Sequence, residues 1–163
     1  LCMTRSSSNY TAGIGLGLLQ LQLNQLDESI DRFHDVIKYN PSSDKAWAGL
    51  GISYRKLNRL IDSMNAFSKA LQLNIENESA MTNLIELSYQ QNKFNQIELA
   101  MNKYNENYPA NVNILFGLAG IQYKLNRIDN AHKLISQILK IDPDHRDAIA
   151  LLQKIELPVE NIF

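Results

Sequence analysis

Apolar residues along this chain recur at helical spacing, and the stripes they form are broken at regular intervals. Leu60, Met64, Phe67, Ala70 and Leu71 share one helix face, and Ile128, Ala131, Leu134, Ile135, Ile138 and Leu139 share another. No stretch alternates with strand period for long enough to compete. The pattern predicts helices at about 10–23, 26–39, 43–57, 60–73, 77–91, 94–107, 111–125 and 128–141, with a ninth over 144–156.

The breaks fall on a grid of 34 residues. Asn24, Asn58, Asn92 and Asn126 each separate two apolar patterns where the chain must reverse, and Asn tolerates the left-handed backbone such a turn requires. Asn9, Ser43, Asn77, Asn111 and His145 form a second series. Its first four members precede a helix, where a short side-chain acceptor caps free N–H groups. Pro41, Pro109 and Pro143, with Ile75 at the vacant node, follow the second helix of each pair, which a proline cannot continue.

A period of 34 with large, small and aromatic residues at fixed offsets resembles the tetratricopeptide repeat (TPR) family. Residues 43–77 carry it best, with Trp47, Leu50, Gly51, Tyr54, Phe67 and Ala70 matching and Ser63 in place of a small Ala. The first repeat has Leu16, Gly17, Ser29, Phe33 and Pro41, and the fourth has Leu118, Ala119, Ala131 and Pro143 with Ile135 for the aromatic. The third departs. Ile85 and Ile97 occupy positions where the family has small residues, and Met101 stands for Phe. Two β-branched side chains at a close crossing would cost on the order of 1–3 kcal/mol, so this pair is expected to splay or shift. The resemblance implies an all-α fold, an α-solenoid of about four TPR helix pairs plus a C-terminal closing helix. The expected organisation is a flexible lead-in over 1–8 and repeats at about 10–43, 44–77, 78–111 and 112–145. A closing helix over 144–156 and a tail over 157–163 complete it.

Composition narrows the function. With 45% hydrophobic and 20% charged residues and a net charge of −1, the chain reads as a folded domain with no basic stripe for nucleic acid. One cysteine excludes an internal disulfide framework and a cysteine-rich zinc site. Gly13, Gly15 and Gly17 lie inside the first predicted helix, not after a strand, so they read as close helix packing that loosens this helix rather than as a nucleotide loop. His34, His132 and His145 lack ligand partners at metal spacing. The glycosylation patterns at Asn9 and Asn77 coincide with the cap series. No Ser/His/Asp or Cys/His set can be assembled, so no enzyme, cofactor, metal or small-molecule substrate is expected.

In the family, the first helix of each pair lines a concave groove that holds a partner's peptide or helix. Carried over residue by residue, this role falls on Gln22, Arg55, Asn83, Glu86, Tyr89, Phe116, Tyr123 and Lys154, with Leu18, Ala48, Ile52, Thr82 and Gly120 beside them. The positions of the family's carboxylate clamp carry no positive charge here, so a partner's C-terminal carboxylate is not the expected ligand. The resulting expectation is a non-enzymatic scaffold for a protein or peptide partner, cytoplasmic by default, with self-association left open. Two alternatives stand beside it. Cys2 and the polar residues after it resemble a lipoprotein start, which would make the chain a membrane-tethered periplasmic factor for pilus or secretion-system assembly. Otherwise it is the non-catalytic TPR region of a larger enzyme.

Overall fold

The computed structural model describes residues 3–156; Cys2, with the tethered reading that rests on it, and the tail over 157–163 lie outside the described residues. Among the described residues are nine α-helices and no strand. They are α1 (Met3–Gln22), α2 (Leu26–Tyr39), α3 (Asp44–Lys56), α4 (Leu60–Leu73), α5 (Glu78–Gln91), α6 (Asn95–Asn107), α7 (Val112–Lys124), α8 (Ile128–Ile141) and α9 (Arg146–Glu156). Three of the second helices, α2, α4 and α8, coincide with the ranges predicted from periodicity.

The turn and cap chemistry explains these boundaries. Asn24, Asn58, Asn92 and Asn126 have φ of 60°, 59°, 52° and 57°, the left-handed conformation that ends a helix and reverses the chain. Ser43 Oγ accepts a hydrogen bond from Ala46 N, Asn77 Oδ1 from Ala80 N and Asn111 Oδ1 from Ile114 N. Each satisfies one orphan N–H of the helix that follows. His145 does the same with an imidazole, its Nδ1 accepting from Ala148 N at 3.2 Å.

The start of the chain differs from expectation. α1 begins at Met3, so residues 3–8 continue a helix rather than forming a flexible lead-in, and Asn9 lies within α1 rather than capping it. Met3 to Asn9 contains neither Gly nor Pro, and its Ser and Thr residues cost only ~0.5 kcal/mol each in a helix, too little to stop one already running.

The chain comprises two compact units, Leu1–Ala100 and Met101–Phe163, which part within α6, the second helix of the irregular third repeat. In the first unit successive helices pack α1 on α2, α2 on α3, α3 on α4 and α4 on α5, and first helices also touch, α1 on α3 and α3 on α5. Its core holds Leu21, Ile30, Phe33, Val36, Ala46, Leu50 and Ala66. Glycines let the aromatic rings in. A Cβ at Gly17 would lie 2.8 Å from Phe33 Cε1, one at Gly49 would collide with the same ring, and one at Gly51 would lie 2.7 Å from Phe67 Cε1. The serine hydroxyls buried at these crossings are satisfied by backbone, Ser29 donating to Gly17 O, Ser53 to Gly49 O and Ser63 to Gly51 O. α1 runs unbroken through its three glycines. In the third repeat Ile97 is fully buried and Ile85 half-buried. In the second unit α7 packs on α8 and α8 on α9, around Leu115, Ala119, Ile135, Ile138 and Ala148.

Candidate functional site

The groove residues assigned from the sequence lie on first helices, where the 34-residue register brings α3 and α5 side by side. Three of them form one polar cluster. The two terminal nitrogens of the Arg55 guanidinium donate separately, one to Asn83 Oδ1 at 2.5 Å and the other to Glu86 Oε2 at 2.7 Å. Asn83 Nδ2 donates in turn to Ser79 O at 2.8 Å, one turn back along α5. Asn83 therefore sits fixed between helix backbone and guanidinium. The ion pair is at the surface, with its two side chains 35% and 54% exposed, so it adds under ~1 kcal/mol to stability. Its arrangement matters more than its strength. A planar cation, an amide and a carboxylate, each with further hydrogen-bonding capacity, are held together on one face.

Tyr89 is one turn beyond Glu86 on α5 and 43% exposed. Its ring stands edge-on to buried Phe94 at 5.2 Å between centroids. Partial burial pushes the Tyr89 hydroxyl above the ordinary tyrosine range, so it remains a neutral donor at physiological pH. An aromatic with a polar tip, one turn from Glu86, is favourable contact chemistry.

The other assigned residues are placed differently. Gln22 is exposed in the last turn of α1 and takes no part in this cluster. Ala48 is 5% exposed, so it belongs to the core and not to a groove, because a methyl on this closely packed face of α3 meets neighbouring helices before it meets water. Ile52 packs half-buried against the core of the first unit. In the second unit, Phe116 of α7 packs on the hydrophobic core, its ring 5.4 Å from the His145 ring. Tyr123 is half-buried on α7 and Lys154 exposed on α9.

One grouping was not legible in the sequence. His34 Nε2 and the Tyr54 hydroxyl lie 3.1 Å apart, and the Arg59 guanidinium covers the Tyr54 ring at 4.4 Å. His34 and Tyr54 border a shallow cleft of about 320 Å³ lined also by Trp47, Asp62, Asn65 and Lys69. Trp47 itself is held by a hydrogen bond from Nε1 to Pro41 O. Nothing in the spacing of these residues, drawn from three helices, announces the contact. Among the described residues no three His, Cys, Asp or Glu side chains are gathered so as to hold a metal ion, and no helix is long and apolar enough to cross a membrane.

Two family models described as tetratricopeptide repeat match the chain, over residues 14–78 and 98–155. The chain belongs to the tetratricopeptide repeat family. No curated protein matches it in sequence. Solved structures share its all-α, solenoid-like fold at low identity. YrrB, described as a TPR protein with an unusual peptide-binding site, aligns with a TM-score of 0.64 at 17% identity, over 88% of this chain and 74% of its own. MamA from Desulfovibrio magneticus RS-1 aligns with a TM-score of 0.58 at 12% identity, over 90% and 92%. A chain of the Naa15/Naa10 complex bound to HypK-THB gives 0.70 at 17%, over 85% of this TPR chain and 22% of that longer one.

Proposed function

We propose that this TPR protein is a non-enzymatic interaction module that binds a segment of a partner protein across the first-helix face of α3 and α5. The observation that carries the reading is the Arg55–Asn83–Glu86 cluster with Tyr89 beside it, two donors and two acceptors converging on one face next to an anchored aromatic. Hydrogen bonds to charged groups contribute about 1.5–3 kcal/mol each once a bound segment covers them, so this small set is enough to hold a peptide backbone in register. That YrrB is described as having a peptide-binding site is in keeping with this use of the fold. By repeat register, Gln22 is the contribution of α1 within the first unit, and Phe116, Tyr123 and Lys154 are the candidate contact residues of the second unit taken by itself.

Selection from a displayed library of random peptides tests the reading whatever the partner's identity. The wild-type protein is expected to enrich a consensus, and Arg55→Ala/Tyr89→Ala to bind the selected peptides at least tenfold more weakly while still unfolding cooperatively above the assay temperature. Equal binding by the double variant would show that the peptide sits elsewhere.

A further inference from the structure

The cleft between α2, α3 and α4 joins a ring-lined interior to polar groups that its own side chains leave unspent. It lies inside the first unit, with α1 before it and α5 after it, so its opening is set by its own residues. Leu50 and Ala66, 1% and 3% exposed, form its floor. Trp47 and Tyr54 line it half-buried, beside exposed His34. Trp47 and Tyr54 belong to the repeat pattern, but no later repeat sets three rings here. One repeat on, the positions of His34, Trp47 and Tyr54 hold Ser68, Met81 and Ser88, and the next repeat has Asn102, Leu115 and Gln122.

The two ends of the cleft differ. At the Tyr54 end the polar groups answer one another. His34 Nε2 and the Tyr54 hydroxyl are 3.1 Å apart, and Asp62 Oδ2 accepts from Arg59 Nε at 2.8 Å. The Arg59 guanidinium also covers the Tyr54 ring. α3 and α4 run antiparallel across the short turn at Asn58, so Trp47 near the start of α3 shares the other end with Lys69 of α4. There the indole N–H is spent on Pro41 O, which leaves a guest only the ring. Lys69, two turns along α4 from Asp62, forms no ion pair with any described residue. Between these ends Asn65 Oδ1 accepts from Gln96 Nε2 at 2.8 Å, so the amide hydrogens of Asn65 remain to donate. The unmatched groups on the rim are thus an ammonium and an amide, and both are donors.

We propose that this cleft anchors an aromatic side chain of a partner protein's segment in which the following residue is acidic. The ring fills the hollow beside Trp47, over Leu50 and Ala66, and the carboxylate accepts from Lys69 and Asn65. Ring burial supplies the driving force, because an aromatic side chain removes a large apolar area from water at little cost in entropy. The donors set the sign of the neighbour. A carboxylate gains charge-assisted hydrogen bonds, whereas a basic group meets the ammonium. The site shares no residue with the Arg55–Asn83–Glu86 cluster or Tyr89, and it does not depend on the α3/α5 reading.

Trp47 is the only tryptophan of the chain, so its indole N–H gives a single, self-assigned signal in a proton–nitrogen spectrum. Titrating the intact protein with acetyl-Phe-Glu-amide is expected to shift that signal saturably. Acetyl-Ala-Glu-amide should bind at least tenfold more weakly, and acetyl-Phe-Lys-amide at least fivefold. Lys69→Gln, at an exposed position that leaves the fold intact, should weaken binding of the Phe-Glu peptide about threefold at low salt, the scale of a rim ion pair. Lys69→Arg should restore it. Absence of a saturable shift would overturn the proposal. Equal affinity for the Ala-Glu peptide would overturn it too, by removing the ring from recognition. Equal affinity for the Phe-Lys peptide, or undiminished binding by Lys69→Gln, would do the same by removing the charge.

Discussion

The second and third repeats follow one register and use it differently. In α3, position 49 is Gly and position 51 is Gly, and both are consumed by packing, receiving the rings of Phe33 and Phe67. In α5 the same two positions hold Asn83 and Ile85. Asn83 donates to Ser79 O and accepts from Arg55, so the position that admits a ring in α3 makes polar contacts in α5. The regular repeat is framework. The irregular one keeps the framework's spacing but turns its first helix into a surface with hydrogen-bonding capacity. Departure from a repeat's consensus within an intact register thus marks where polar contacts replace packing.

Three measurements would break or sharpen this contrast. The largest effect belongs to the framework. Phe67 is fully buried against Gly51, and Phe67→Ala should cost about 3–5 kcal/mol in chemical denaturation, because the glycine opposite cannot fill the void. A loss below about 1 kcal/mol would mean the second repeat is no more rigidly packed than its neighbour.

A single methyl tests the shared node next. Gly49→Ala should destabilise by about 1–3 kcal/mol, since its Cβ runs into a fully buried and stiff Phe33 ring. Asn83→Ala, one repeat later, should change stability by less than about 1 kcal/mol, because its partners are at the surface and turn to water. Equal costs at the two positions would remove the distinction drawn above.

The smallest effect is a titration. Burial raises the Tyr89 pKa above that of the unfolded chain, about 10, so its contribution to stability is fully present below pH 10 and declines as pH rises through the folded value. Ultraviolet absorbance should show a phenolate step above the ordinary range that Tyr89→Phe removes. Persistence of that step would assign it to another tyrosine and leave Tyr89 with an ordinary titration.

The helices were legible because their signals are local. A 3.6-residue stripe, an Asn where φ must be positive and a Ser or Asn that can reach back to an N–H are decided within a few residues of chain. His145 was legible as a node of the 34-residue grid, but its capping role was not, because an imidazole is an unusual cap. The candidate groove residues stood in the sequence only as a roster. Which members meet depends on side chains 28 and 31 residues apart, as in the bonds from Arg55 to Asn83 and Glu86. Ala48 was misplaced for the same reason, since a methyl on a helix carries no mark of whether a neighbour covers it.

By itself, then, the sequence determined the register: where the turns and caps from Asn24 onward fall, and which residues share each helix's apolar face, though not where α1 starts. Tertiary structure alone decided what lies opposite each face. Leu16 and Leu50 hold the same position in successive repeats, yet one is 41% exposed and the other 1%. The physical reason is that periodicity is a property of one helix, whereas burial is a property of two.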